Sequence, residues 1–237
     1  MPIIKLNKSI IPSCDVPDLI KLKNLVKETC SVEGIGAYKI GLELCIPYGI
    51  CPVIGIIRKY TNLPIIYDHQ KAATDIPELG EKFAKAVKGV DAVILFPLAG
   101  PETEIEWVKA CKEAKLGIIV GGEMTHKGFL ESEGGFISEA ESLKIYEIAA
   151  KLGINDYVVP GNKPGRIRVY KAFLEARGIK PVFYSPGLIA QGGNISESAK
   201  IAERWHAIVG RALYNSKNIN KTAKELVKFL YNGIPPM

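Results

Sequence analysis

The sequence has few of the residues that bind metal ions or form disulfide frameworks. It contains 3 histidines and 5 cysteines among 237 residues, and no Cys-x-x-Cys pair or Cys/His zinc spacing occurs. An odd number of cysteines without such a spacing favours reduced thiols in a cytosolic protein. We therefore expect no metal site, no disulfide bonds and a cytoplasmic location.

Signals for export, membrane insertion and nucleic-acid binding are also missing. No basic segment followed by a long apolar one opens the chain, so we expect no signal peptide. The apolar stretch 34–57 contains Lys39, Glu43, Pro47 and Pro52, which argues against a membrane span. The formal net charge of +6 is spread without a run of five like charges. This pattern suits a small anionic ligand and gives no sign of a groove for a nucleic-acid polymer.

Eight short apolar runs alternate with amphipathic stretches along the whole chain. Runs without polar alternation, such as 92–95, are typical of parallel strands that are buried on both faces. Eight strand–helix units predict an α/β fold, a (β/α)8 TIM barrel, as a single domain over 1–237 with a flexible tail at 233–237. An open doubly wound sheet is the alternative, but no Gly-x-Gly-x-x-Gly follows the first run. The runs are 9–14, 37–42, 64–68, 91–96, 117–121, 156–159, 181–184 and 206–209.

The third run is followed by two carboxylates that flank one lysine: Asp68, Lys71 and Asp75. Such a barrel carries its active site where strands end and helices begin. Carboxylates keep an ammonium group protonated, and the lysine could then deliver a proton as a general acid. In the alternative interpretation Lys71 is solvated, and Asp75 only caps a helix that starts within 75–78.

Two further charged residues lie in or after apolar runs. Lys39 interrupts the second run. If its side chain points into the barrel it meets Asp68 and Lys71, and if it points outward it only extends to solvent. Asp15 follows the first run and could bind a sugar hydroxyl or a lysine.

The loops after the seventh and eighth runs have the composition of a phosphate site. Gly192 and Gly193 are adjacent, which leaves backbone amides open to a ligand just before a helix start. Arg211 follows Gly210 at another helix start, where its guanidinium could grip a phosphate. Many barrels bind phosphate with these two loops. The alternative is two ordinary glycine turns and a surface arginine.

The fifth run is followed by Thr125 and His126. Thr125 offers a hydroxyl that could recognise a polar edge of a ligand. A lone histidine is more often a hydrogen-bonded structural group than a catalytic base. We therefore expect structural roles for His69, His126 and His206.

Three motifs are specific in their order and spacing. They are Glu-Met-Thr-His-Lys-Gly at 123–128, Ser-Pro-Gly-Leu-Ile-Ala-Gln-Gly-Gly at 185–193 and Ile-Val-Gly-Arg-Ala-Leu-Tyr at 208–214. Together they resemble the orotidine 5'-monophosphate decarboxylase family, especially its archaeal type, from Asp15 to Asn218. The resemblance implies a homodimer with shared active sites that acts on a small nucleotide. It implies conversion of orotidine 5'-monophosphate to uridine 5'-monophosphate and carbon dioxide, in de novo pyrimidine biosynthesis, without a cofactor or metal.

The resemblance also implies catalytic roles. Lys71 would protonate the carbon that loses the carboxylate. Lys39 and Asp68 would belong to the same charged network. Asp75 would reach the active site of the neighbouring subunit and contact the ribose there.

Substrate-binding roles follow from the same resemblance. Asp15 would contact the ribose hydroxyls, and Thr125 stands where the family usually has a serine that reads the pyrimidine. Gln191, Arg211 and the backbone of Gly210 would hold the phosphate. The substrate-binding set also includes Pro186 and Gly192.

The charged motif departs from the family pattern. That pattern is Asp-x-Lys-x-x-Asp-Ile, and both gaps are one residue longer in the segment from Asp68 to Asp75. In a regular strand Asp68 and Lys71 would point to opposite faces, whereas a bulge would realign them. Other alignments put Gln70 in place of the lysine or His69 in place of the aspartate.

Two other functions therefore stay open. One is a nucleotide-binding homologue without catalytic activity. The other is a magnesium-dependent sugar-phosphate lyase of the same barrel group, whose pattern has a glutamate where this chain has Lys39.

Overall fold

The computed structural model describes residues 2–69, 72–189 and 193–232, and eight parallel strands dominate this part of the chain. They pair in the order β1-β8-β7-β6-β5-β4-β3-β2. Isolated parallel bridges between Ile10 and Ile35 and between Ser13 and Lys39 join the two ends of this order, which nearly closes the barrel. The strands are β1 (Lys8–Pro12), β2 (Tyr38–Gly41), β3 (Ile65–Asp68), β4 (Ala92–Leu95), β5 (Gly117–Gly121), β6 (Asp156–Val158), β7 (Val182–Ser185) and β8 (Arg204–Val209).

Each strand is followed by at least one helix, which confirms the predicted (β/α)8 TIM barrel. The connections after β2 and β8 each hold two helices. The helices are α1 (Leu19–Thr29), α2 (Leu42–Tyr48), α3 (Ile50–Arg58), α4 (Leu79–Ala86), α5 (Pro101–Glu113), α6 (Glu139–Lys151), α7 (Pro164–Glu175), α8 (Ile195–Ala199), α9 (Arg211–Tyr214) and α10 (Ile219–Asn232), with a 3-10 turn at Glu131–Glu133. The single-domain extent over 1–237 stays a prediction, and its tail at 233–237 lies outside the described residues.

Side chains of each strand alternate between two hydrophobic layers. On β3, Ile65 and Tyr67 pack outward against the helices, while Ile66 packs inside the barrel. Because both layers exclude water, consecutive strand residues must be apolar, which explains the runs without alternation. The inner layer also contains Ile4, Ile11, Ala37, Ala92, Ile94, Phe96, Ile119, Val158, Val182, Tyr184 and Ile208.

The same alternation directs polar side chains into the carboxyl-terminal end of the barrel. Lys39 lies between Tyr38 and Ile40, which both pack in the outer layer, so its own side chain faces inward. Asp68 lies two residues beyond the inward-facing Ile66. Neighbouring strands therefore bring the lysine and the aspartate to the same face.

Gly121 makes room for an aromatic ring in the barrel interior. A Cβ atom at this inward position of β5 would lie 2.2 Å from Cζ of Phe96. The Phe96 ring is buried and belongs to the inner layer. It closes the interior directly beneath the cavity at the strand ends, which it also lines.

One detail of the local predictions is wrong. Helix α4 begins at Leu79 after Glu78, not within 75–78, and the Asp75 carboxylate accepts the N–H of Ile76 at 2.7 Å. The N–H groups of Leu79 and Gly80 donate to carbonyls three residues earlier, so a tight turn precedes the helix. All five cysteines are free, and Cys51 is exposed.

No helix in the described part of the chain is both long and apolar enough to span a membrane.

His206 on β8 is a buried structural histidine, as predicted. Its Nδ1 lies 2.8 Å from Oγ of Ser9 on β1, and its ring packs against Tyr184. Burial, with the nearby positive charge of Arg204, lowers the pKa of His206 to about 3. The imidazole is therefore neutral inside the barrel at neutral pH.

Because His206 is buried and neutral, we expect it to lower the free energy of unfolding in acid. His206→Gln should remove this contribution. Below the ordinary pKa of 6.5 the unfolded chain binds a proton that the folded chain takes up only near pH 3. The free energy of unfolding should fall by up to about 1.4 kcal/mol per pH unit from this group, relative to the variant. Chemical denaturation from pH 7 to pH 4 measures the difference.

Other buried acids titrate in both proteins. Burial raises the pKa of Asp156 to about 6 and that of Glu104 to about 8, and both contributions cancel in the comparison. Parallel pH profiles of the wild type and the variant would contradict the assignment of a neutral buried imidazole.

Candidate functional site

A cavity of about 210 Å³ opens at the carboxyl ends of the strands, on the face where the sequence predicts the site. Six predicted site residues line it together, and they come from the ends of β1, β2, β5, β7 and β8. These six are Asp15, Lys39, Thr125, Pro186, Gly210 and Arg211.

A buried ion pair forms one wall of this cavity. Lys39 Nζ lies 2.8 Å from Oδ2 of Asp68 and 3.4 Å from Oδ1 of Asp15. The Asp68 side chain is 1% exposed and that of Lys39 is 7% exposed, whereas that of Asp15 is 41% exposed. Ser13 Oγ donates to the second oxygen of Asp15 at 2.6 Å. The network thus runs from the barrel interior to the open cavity.

The carboxylates keep Lys39 charged in spite of its burial. Burial alone would lower the pKa of Lys39, but the negative charges of Asp68 and Asp15 and their hydrogen bonds outweigh it. The pKa of the lysine is therefore held above its ordinary value, and its side chain is an ammonium ion at every physiological pH.

The chain leaves the sheet directly after Asp68. The backbone carbonyl of Ala72 accepts the N–H of Phe96 at 3.1 Å, and Ala73 has φ 63, in the left-handed region. The first residue past the strand, His69, places Nδ1 2.7 Å from the hydroxyl of Tyr67, while Asp68 contacts Lys39. Asp68, and not His69, therefore forms the ion pair with Lys39. The predicted proton donor Lys71, with the alternative residue Gln70, lies outside the described residues.

Asp75 does not reach the cavity of its own chain. Its side chain is exposed, and its backbone carbonyl accepts a hydrogen bond from Thr103 Oγ1 at 2.8 Å. Its neighbour Ile76 is 57% exposed, although its carbonyl accepts the indole N–H of Trp107. Residues 75 and 76 are thus held to α5 by hydrogen bonds to their backbone carbonyls, and their side chains are exposed.

The predicted phosphate end has Arg211 and Gly210 on one side and Pro186 with Gly187 on the other. Gly187 has φ 83, a conformation that glycine adopts without strain. The N–H of Gly193 donates to the Gly187 carbonyl, so the prediction that the Gly193 amide is open to a ligand is wrong.

The remaining loop residues proposed for phosphate, Gln191 and Gly192, lie outside the described residues. The helix after the loop, α8, has five residues and is capped by Asn194, whose side-chain oxygen accepts the N–H of Glu197.

Several lining residues were not anticipated from the sequence. Glu123 and Met124 line the cavity beside Thr125, and Ser13 and Tyr214 line it beside Asp15. The inward alternation of β5 from Ile119 through Gly121 could have revealed Glu123, but no such pattern marks Tyr214. Among the described residues, no group of three or more His, Cys, Asp or Glu side chains could hold a metal ion.

Comparison with protein families gives a match over most of the chain. The model of the orotidine 5'-phosphate decarboxylase / HUMPS family matches residues 8–226. The orotidine 5'-phosphate decarboxylase of Pyrococcus furiosus is 36% identical over 195 residues, or 81% of this chain and 84% of that protein. The enzyme of the same name from Methanocaldococcus jannaschii is 32% identical over 198 residues, or 83% of this chain and 87% of that protein.

Solved structures with these names share the fold. The crystal structure of the Methanocaldococcus jannaschii enzyme complexed with the inhibitor BMP has a TM-score of 0.83 at 28% identity, covering 95% of this chain and 99% of that chain. That of the Pyrococcus horikoshii enzyme has a TM-score of 0.77 at 28% identity, covering 93% and 98%. The family match includes every residue that lines the cavity.

The Lys39–Asp68 pair yields a prediction about stability. Among the described residues, Asp68→Asn leaves the buried Lys39 ammonium ion with one carboxylate, that of the more distant, half-exposed Asp15. We expect the free energy of unfolding at pH 7 to fall by about 3 kcal/mol, measured by chemical denaturation. Glu81→Gln, which breaks the exposed pair with Lys85, is the matched control and should leave it unchanged. A loss below about 1 kcal/mol would mean that the pair is solvated like a surface ion pair.

Proposed function

The chain belongs to the orotidine 5'-phosphate decarboxylase / HUMPS family, and we propose that it removes the carboxylate of orotidine 5'-monophosphate with Lys71 as the proton donor. The products are uridine 5'-monophosphate and carbon dioxide, and the reaction is a step of pyrimidine biosynthesis. The buried Lys39–Asp68 ion pair in the cavity wall carries this proposal. The ion pair fixes Asp68, the first residue of the charged motif, which lies three residues before Lys71 in the sequence.

The proposed reaction needs one proton and a place for negative charge. When the carbon–carbon bond breaks, carbon dioxide leaves and the electron pair stays on the ring carbon. An ammonium group of Lys71 stabilises that charge and then transfers its proton to the same carbon. Lys39, held charged by Asp68, adds positive potential beside it. The lysine supplies both the charge and the proton, so the proposal includes no cofactor or metal.

The substrate is proposed to lie across the cavity. Arg211, the Gly210 backbone, Gln191 and Gly192 hold the phosphate, with Pro186 beside it. Asp15 is half-exposed to the cavity and accepts hydrogen bonds from the ribose hydroxyls, and Thr125 reads the pyrimidine. Binding energy from the phosphate, far from the reacting carbon, then acts in the transition state.

A homodimer with shared active sites completes the proposal. Asp75 is exposed and does not line the cavity of its own chain, which is the arrangement expected of a residue that serves a second subunit. Exposed apolar side chains accompany it, with Ile76 at 57% and Leu98 at 36%. A cytoplasmic location belongs to the same proposal and is supported by the five free thiols.

The experiment that tests the function follows the ultraviolet absorbance of orotidine 5'-monophosphate after addition of pure protein, with and without a chelator. We expect decay in both samples. Decay that the chelator abolishes would favour the magnesium-dependent sugar-phosphate lyases of the group. Absence of decay with tight binding of uridine 5'-monophosphate would favour a homologue without catalysis.

Lys71→Ala is the decisive variant of that assay. Removal of a general acid should lower kcat by at least about a thousandfold, while the Kd for uridine 5'-monophosphate changes little. Calorimetric titration with the nucleotide provides the binding control. A variant that turns over at the wild-type rate would exclude Lys71 as the proton donor and direct attention to Gln70 and the rest of the loop.

Complementation of two inactive variants tests the shared site. Lys71→Ala and Asp75→Ala chains carrying different tags are co-expressed, and the mixed dimers are purified. If Asp75 serves the neighbouring subunit, one of the two sites is intact, and about half of the wild-type activity returns. If Asp75 acts within its own chain, both sites of the mixed dimer are damaged and it is as inactive as the parents.

A further inference from the structure

A second buried charge network lies at the opposite side of the cavity from Asp15, and the proposed reaction does not use it. The Glu123 side chain is fully buried at the end of β5. Its Oε1 accepts from Lys163 Nζ at 3.0 Å, and its Oε2 accepts from Arg166 Nε at 2.8 Å. The hydroxyl of Tyr170 also donates to Oε2, and Arg166 Nη2 donates to that hydroxyl at 2.6 Å.

This network fastens one loop to one helix. Lys163 precedes α7, and Arg166 and Tyr170 lie on it. The same stretch holds the β5–α6 loop at two further points: Asn162 Nδ2 donates to the Thr125 carbonyl at 2.9 Å, and Lys163 Nζ lies 2.5 Å from Glu133. The loop that carries Thr125 is therefore held through Glu123, Thr125 itself and Glu133.

Stability alone is a weak reason for such a network. A buried ion pair loses about as much solvation energy as it gains in attraction, and apolar side chains of similar volume are often equally stable there. The charged groups instead fix a single arrangement of the side chains, because each oxygen of the Glu123 carboxylate accepts hydrogen bonds from donors in defined directions. Burial, and then the neighbouring carboxylate of Glu123, raises the pKa of Tyr170, so its hydroxyl stays protonated and remains a donor.

The position of the network in the barrel indicates what it fixes. Strand β5 lies three strands from β8, which ends two residues before Arg211, and four from β1. Glu123 and its neighbours Met124 and Thr125 all line the cavity at this end. If the phosphate lies at Arg211, the part of the nucleotide farthest from the phosphate lies against this wall.

We propose that Glu123 is a positioning residue that fixes the base-binding wall, so that it determines recognition of the pyrimidine and not of the phosphate. The inference rests on the proposed function, which places a nucleotide in this cavity. Glu123 acts through Met124 and Thr125 and through the α7 groups, without touching the reacting carbon.

The test compares two ligands that share the ribose and phosphate but differ in the base. Uridine 5'-monophosphate and ribose 5-phosphate are titrated by calorimetry into the wild type and Glu123→Gln. The amide of the variant presents an N–H₂ group to Lys163 or Arg166, which breaks one half of the network. We expect the Kd for the nucleotide to rise at least about tenfold and that for ribose 5-phosphate to change less than about twofold. The KM for orotidine 5'-monophosphate should rise in parallel, with a smaller change in kcat.

Three variants separate positioning from loss of fold. Tyr170→Phe removes a single donor and should shift the nucleotide Kd in the same direction by a smaller factor. The double variant Glu123→Gln with Arg166→Gln also removes a positive charge that Glu123→Gln leaves unpaired. It should be more stable than Glu123→Gln, but it should not regain the preference for uridine 5'-monophosphate over ribose 5-phosphate. Glu147→Gln makes the same chemical change in an exposed ion pair on α6 and should change neither Kd.

Equal weakening of both ligands in Glu123→Gln and Tyr170→Phe, or no change in either, would overturn the inference. Return of nucleotide preference in the double variant would also overturn it, because the effect would then come from an unpaired buried charge. A wild type that neither decarboxylates the substrate nor prefers uridine 5'-monophosphate to ribose 5-phosphate would instead refute the proposed function.

Discussion

Every second side chain of a barrel strand faces the interior, and this alternation decides which residues can belong to the site. The interior is filled by apolar side chains such as Ile66 and Ile119, and the inward polar groups of the site lie beyond them, at the carboxyl ends of the strands. Lys39 and Asp68 occupy such positions on paired strands. Their ion pair is therefore a direct result of the strand register, and Glu123 follows the same rule beyond β5.

Charges held in this way are ready before a ligand binds. Lys39 and Asp68 are almost completely buried, and each restricts the rotamers of the other. Of the three described residues of the network, Asp15 at its outer edge has a half-exposed side chain that faces the cavity. Fixed dipoles and ions in a site with little water stabilise developing charge without the cost of reorientation. The barrel thus supplies fixed charges in the wall of the cavity.

The strands could be predicted closely from sequence because burial on both faces leaves a local signal; the run 117–121 coincides with β5. The direction of the Lys39 side chain could not be predicted, since a lysine in an apolar run can extend outward to solvent or pair inside the barrel. Only the register of β2 decides between these two directions. The partners of Glu123 were also beyond prediction, because Lys163 lies 40 residues away and nothing local links the two. The cap assigned to Asp75 failed because α4 begins only at Leu79, and the Asp75 carboxylate instead accepts the N–H of the adjacent Ile76.

The longer spacing after Asp68 is compatible with the Lys39–Asp68 ion pair because of where it occurs. An extra residue within β3 would reverse the alternation and turn Asp68 away from Lys39. After Asp68 the chain is no longer extended: Ala73 adopts φ 63, and the Ala72 carbonyl is bonded to Phe96 beside β4. Loop residues tolerate insertion because no pleat fixes their direction. The longer spacing therefore leaves the buried Lys39–Asp68 ion pair intact.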